Sequence, residues 1–145
     1  MNTVTTSSIP NRLESGIEGF DQLTFGGFPK GRAYLIAGEP GTGKTIFTLQ
    51  YLLEGAQKGE KGLFVTIDEK PEHIISDIEA LGWNIKPFLE NGTLNILDIT
   101  NYFKDSNDIT SGKQDISQII DVILNYIKDN SVKRLGIDPI SPLIF

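Results

Sequence analysis

The chain has 145 residues, 39% of them hydrophobic, which is enough apolar material for one core and implies a single domain. It contains no cysteine, which excludes disulfides, thiolate chemistry and thiolate zinc sites. A net charge of −6 speaks against nucleic acid as a partner of this segment, because gripping a phosphate backbone needs clustered Lys and Arg.

Met1 to Arg12 is rich in Thr, Ser and Asn and reads as a flexible leader without a signal pattern. No later stretch is apolar for long enough to cross a bilayer, so a cytoplasmic protein is expected. The domain is expected over 13–145. Gly16 to Leu23 places Ile17, Phe20 and Leu23 at helical spacing, and Gly26-Gly27 ends that short helix. Pro29-Lys30-Gly31 turns the chain into an expected first strand, Arg32 to Ala37. Lys44 to Lys58 is apolar on most of its circumference, as in a helix packed on a sheet, and Gly59 stops it.

The continuous apolar run Leu63 to Ile67 predicts a parallel strand covered on both faces. Pro71 suits the first turn of a helix whose inner face is Ile74, Ile75, Ile78 and Leu81, ending at Gly82. Asn84 is expected to cap a short helix to Leu89, and Asn91-Gly92 turns into a third strand, Leu94 to Ile99. Trp83 and Phe88 read as core or surface-cluster residues, and the lone His73 as solvated. Asn101 to Gln114 is polar and reads as a mobile loop. A helix follows, with Asp115 and Gln118 as a capping box and a stripe of Ile116, Ile119, Ile120, Ile123 and Ile127. Asn130-Ser131 breaks it before a fourth strand, Arg134 to Ile137, which ends at Asp138.

The stretch Gly38-Glu39-Pro40-Gly41-Thr42-Gly43-Lys44-Thr45 lies between the first strand and the first long helix, which is the setting of a P-loop. Its glycines let backbone N–H groups converge on phosphate oxygens, and the helix adds its positive end. Lys44 would reach the β- and γ-phosphates of ATP, and the Thr45 hydroxyl would sit on the accompanying Mg²⁺.

The alternation of strands and helices predicts a doubly wound, mainly parallel α/β domain, with its site at the carboxyl ends of the strands. Asp138 stands where a Walker B aspartate would hold Mg²⁺ opposite Thr45. Asp68 and Glu69 end the second strand, and neighbours on a strand start toward opposite faces. One of the two is therefore expected to face the γ-phosphate, where a carboxylate can orient water and accept its proton. Asp98, at the end of the third strand, reads as structural or cap-like.

Together these residues resemble the KaiC-like branch of the RecA/RadA P-loop ATPases. The resemblance rests on Gly16-Ile17-Glu18-Gly19-Phe20-Asp21, Gly26 to Arg32, the P-loop, Phe64 to Glu69 with Pro71, Leu81-Gly82-Trp83, and Ile137-Asp138 with Ser141. It implies ATP-binding hexamers that hydrolyse ATP between subunits, some also phosphorylating themselves. It also implies a pair of glutamates, the first acting as base, where this chain has Asp68 before Glu69. The position of Ala80 resembles one that approaches the nucleotide.

In that superfamily a strand arriving later in sequence separates the P-loop and Walker B strands, and basic residues further on reach a neighbouring subunit's nucleotide. This chain stops before both, with an apolar end, Pro142-Leu143-Ile144-Phe145, so an N-terminal portion of a longer protein is expected, truncated after the Walker B strand. The resemblance implies Mg²⁺-dependent ATP binding and hydrolysis coupled to oligomer assembly or switching. Two other readings remain open: a non-hydrolysing ATP-binding regulator or scaffold, and a RadA-like DNA-handling ATPase.

Overall fold

The structure is a computed structural model and describes residues 11–104 and 112–144. Strand β1 (Arg12–Leu13) pairs antiparallel with β2 (Phe28–Pro29), and helix α1 (Phe20–Leu23) lies between them. Regular structure thus takes in Arg12, which the sequence pattern assigns to a leader. Residues 1–10 of that leader lie outside the described residues. The segment is held together by Asp21, whose carboxylate accepts hydrogen bonds from the Ser15 amide at 2.9 Å, the Ser15 hydroxyl at 2.7 Å and the Gly16 amide at 3.1 Å. The Gln50 side chain then ties Gly16 to the long helix behind it, donating to its carbonyl at 2.7 Å.

That helix is α2 (Lys44–Gln57), and Gly59 beyond its end has a positive φ of 78°. There follow β3 (Gly62–Thr66), α3 (Pro71–Ala80) with Pro71 in its first turn, α4 (Lys86–Glu90), β4 (Leu94–Asp98), α5 (Thr100–Lys104), α6 (Gly112–Asn130), β5 (Arg134–Asp138) and α7 (Ser141–Ile144). The sheet is parallel with order β4-β3-β5. Every residue of β3 is buried, as a central strand covered on both faces must be.

The period of two in β3 divides the core. Phe64 faces Leu49, Leu52 and Ala56 of α2, Ile74 and Ile78 of α3, and Ile85 before α4. Leu63, Val65 and Ile67 face the other way, onto Ile119 and Ile123 of α6. Trp83 and Phe88 pack against the first of these clusters. Helices therefore cover both faces, the doubly wound arrangement of a parallel α/β domain.

Several expectations are corrected. Arg32 to Ala37 forms no ladder, and Leu35 within it is 75% exposed. Apolar composition favours a strand, but a strand also needs an edge; both edges of β3 are taken by β4 and β5, and the segment pairs with neither outer edge. Asn84 is not a cap, because α4 starts later, with Ile85 at its N-cap and no side-chain cap bond. Asn101 to Lys104 is helical and α6 begins at Gly112, ahead of Asp115, so Asp115 is inside the helix rather than at its start. The middle of the expected loop, residues 105–111, lies outside the described residues. Ile120 is 43% exposed and Leu81 49% exposed, so both depart from the inner faces to which periodicity assigns them.

Candidate functional site

The P-loop turns between residue 37 and α2 on two glycines in the left-handed region, Gly41 at φ 79° and Gly43 at φ 93°. A Cβ at either would meet nothing within 4 Å, so their conformation and not crowding is what calls for glycine. Gly43 is also the N-cap of α2 and offers no side-chain cap, which leaves the first amides of the helix free to meet an anion. The loop is braced from within: the Thr42 hydroxyl donates to the Glu39 carbonyl at 2.8 Å, and Lys44 Nζ donates to the carbonyls of Gly38 at 2.8 Å and Glu39 at 2.9 Å. The Lys44 ammonium is thereby folded over the cradle, where its donors can pass to phosphate oxygens.

Across the sheet, β5 brings Asp138 to the start of α2, and the Thr45 hydroxyl donates to its carboxylate. The two residues are 93 positions apart in sequence, so only the fold joins them. They form a hydroxyl and carboxylate pair of hard oxygen donors of the kind Mg²⁺ accepts. Asp138 is in register with Thr66 on β3, which is in register with Asp98 on β4, so the three strand ends form one row beside the loop. Asp98 caps α5, accepting the Thr100 amide at 2.8 Å, which agrees with the structural role read from sequence.

A cavity of about 480 Å³ opens beside the loop. Gly43, Lys44 and Thr45 line one part of it; Leu49, Ile74 and Ile78 form an apolar wall, and Ala80 and Leu81 lie along it. Leu81 is thus displaced from the core onto the cavity, beside Ala80. Glu69 and Asp77 contribute the carboxylates of this cavity. Asp68 is exposed and is not among the lining residues, so the structure brings Glu69, not Asp68, together with the P-loop. Burial pushes the Glu69 carboxyl above the usual carboxylate range; Asp77, Asp68 and Asp138 add to the effect, and His73 opposes it. His73 itself is exposed, as expected.

Sequence reasoning passes over Asp77, Thr66 and Arg134. Asp77 lies one position before Ile78 on α3, a polar residue next to the inner stripe, and that placement was its only signal. Arg134 is 1% exposed; it donates to the carbonyls of Glu14 at 2.6 Å and Tyr51 at 2.9 Å, and pairs with Glu60 at 3.2 Å. It therefore locks β5, and Asp138 at its far end, to α2. The signal available for it is Gly55, where any Cβ would meet the Arg134 side chain at 2.5 Å.

A parallel sheet with a glycine-rich loop, a lysine and a helix N-terminus at its carboxyl edge defines a P-loop nucleotide-binding domain. The family model of the KaiC ATPases matches residues 13–145, and the chain belongs to that family. Among relatives, it is 36% identical over 137 residues to a UPF0273 protein of Methanopyrus kandleri, covering 91% of this chain and 54% of that protein. It is 38% identical over 132 residues to the circadian clock protein KaiC3 of Synechocystis, covering 91% of this chain and 26% of that one. It is 41% identical over 128 residues to the circadian clock oscillator protein KaiC of Prochlorococcus marinus, covering 88% and 25% respectively. The chain thus spans about half the length of the first relative and about a quarter of the other two. Among the described residues no helix is long and apolar enough to cross a membrane.

Proposed function

We propose that this chain binds ATP with Mg²⁺ and hydrolyses it, as a domain that works in a homo-oligomer whose assembly or conformation follows the nucleotide. The observation that carries the reading is the pairing of Thr45 with Asp138 at the mouth of the P-loop. The amides at the start of α2 and the Lys44 ammonium bind the phosphates. Thr45 and Asp138 would hold Mg²⁺, which when bound offsets charge on the β- and γ-phosphate oxygens. Among the described residues no group of three or more His, Cys, Asp or Glu forms a metal cluster. Two protein ligands, with phosphate and water oxygens completing the shell, suit Mg²⁺. Ile74, Ile78 and Leu81 give the nucleoside an apolar wall. Glu69, whose carboxyl burial holds above the usual carboxylate range, takes the proton of the attacking water as its carboxylate. The net charge of −6 favours this reading over a DNA-handling one.

The test is calorimetric ATP binding with and without Mg²⁺, followed by turnover, for the wild type and Lys44→Ala. Loss of two charge-assisted hydrogen bonds should weaken binding by about two orders of magnitude or more. Equal affinity in the variant refutes the site. Tight binding with turnover no faster than in Lys44→Ala would replace hydrolysis by the non-hydrolysing regulator.

A further inference from the structure

The parity of β3 poses a problem at the site. Phe64 and Thr66 share the face that looks toward α2, and Ile67 packs on the opposite side with α6. Continued as a strand, the chain would send Asp68 toward α2 and the P-loop, and Glu69 away from it. The structure has the reverse: Glu69 lines the cavity with Lys44 and Thr45, and Asp68 is exposed.

What reverses the order is a closure of the chain at the end of the strand. The Thr66 hydroxyl donates to the Glu69 carbonyl at 2.7 Å and accepts the Glu69 amide at 3.2 Å. Both hydrogen-bonding roles of one hydroxyl go to one residue. Thr66 is 1% exposed, so no surface water offers its hydroxyl an alternative. The bonds end the strand at Thr66 and fold residues 67–69 into a bend, bringing Glu69 round to the face the strand would have given to Asp68.

We propose that Thr66 is a positioning residue, whose hydroxyl clamps the Glu69 backbone so that Glu69, and not Asp68, is presented to the nucleotide phosphates. This rests on the reading that the chain hydrolyses ATP. Replacing the hydroxyl by a methyl leaves the half-buried Glu69 amide and carbonyl without these partners, so the bend opens toward water and the carboxylate moves with it. The hydrogen bonds of the Thr66 hydroxyl go to Glu69 and not to the P-loop, so nucleotide affinity should be left alone.

The experiment is steady-state ATP hydrolysis with Mg²⁺ by the wild type, Thr66→Val, Thr66→Ser, Glu69→Gln, Asp68→Asn and Lys44→Ala. Thr66→Val should lower kcat roughly ten- to a hundredfold, the scale of a misplaced catalytic group, with KM changed by no more than a few-fold. Thr66→Ser, which keeps the hydroxyl, should recover most of the loss. Glu69→Gln should cost far more than Asp68→Asn. Where Thr66→Val does not fold, Thr66→Ala against Thr66→Ser isolates the hydroxyl alone. Equal kcat with and without the hydroxyl overturns the proposal, as does Asp68→Asn costing as much as Glu69→Gln. Wild-type turnover no faster than Lys44→Ala defeats the hydrolytic reading and this inference with it; robust wild-type turnover matched by Thr66→Val defeats the inference alone.

Discussion

Substituting Gly136 by alanine tests how β5 and α2 keep the site assembled. Gly136 lies two residues before Asp138, and an added Cβ would stand 2.3 Å from Thr48 Cγ2, one turn after Thr45 on α2. Ordinary contact begins at 3.4 Å, so α2 must retreat from β5 by about an ångström. The backbone at Gly136 is outside the left-handed region, so alanine meets no conformational strain and the effect is crowding alone. Overpacking of this kind costs about 1–3 kcal/mol. For a chain of this size that corresponds to roughly 2–4 °C in Tm for each kcal/mol. The same displacement separates Thr45 from Asp138, and a shift of about 1 Å in a catalytic constellation can cost on the order of a hundredfold in rate. Urea unfolding should show a lower midpoint with an unchanged slope, and ATP turnover should fall out of proportion to the lost stability. Thr48→Ser removes the Cγ2 and keeps the hydroxyl that donates to the Lys44 carbonyl at 3.0 Å. The double variant should therefore recover both stability and rate. A wild-type midpoint in Gly136→Ala, or no recovery in the double variant, refutes the reasoning.

Other outcomes follow from the same framework. Arg134→Met should destabilise by about 3 kcal/mol, the lower end for breaking a buried pair, because Glu60 is 31% exposed and can turn to water; a urea midpoint equal to wild type would show that the Glu14 and Tyr51 carbonyls do not depend on it. Burial holds the Glu69 carboxyl above its ordinary value of 4.5, so the folded state binds more protons than the unfolded one in the interval above that pH. Stability should therefore decline as pH rises from 4.5 to the raised value. Glu69→Gln should remove that decline and raise Tm at neutral pH, as thermal melts across a pH series would show; an unchanged profile would mean that the carboxylate is solvated in the native state.

Much of this domain was legible along the chain. The turn over Gly41 and Gly43 into α2 at Lys44 was legible because it is built from consecutive residues, with glycine where φ is positive. The strands β3, β4 and β5 and the helices α2 and α3 follow from apolar runs and punctuating Gly and Pro, which act within a few residues of themselves. Asp138 ends β5 and meets Thr45, as the end of an apolar strand beside the loop leads one to expect. The tertiary structure decided what depends on partners far away in sequence. Ala33 to Ala37 has the composition of a strand, yet in the structure no edge receives it. Leu81 and Ile120 keep helical spacing and still face outward, because the faces opposite them are a cavity and solvent. Arg134 is a charged residue in a buried place because Glu60, Glu14 and Tyr51 converge on it from three parts of the chain. Between Asp68 and Glu69 alternation alone would have selected the wrong carboxylate for the cavity; the Thr66 hydroxyl decides, through hydrogen bonds that no periodicity records.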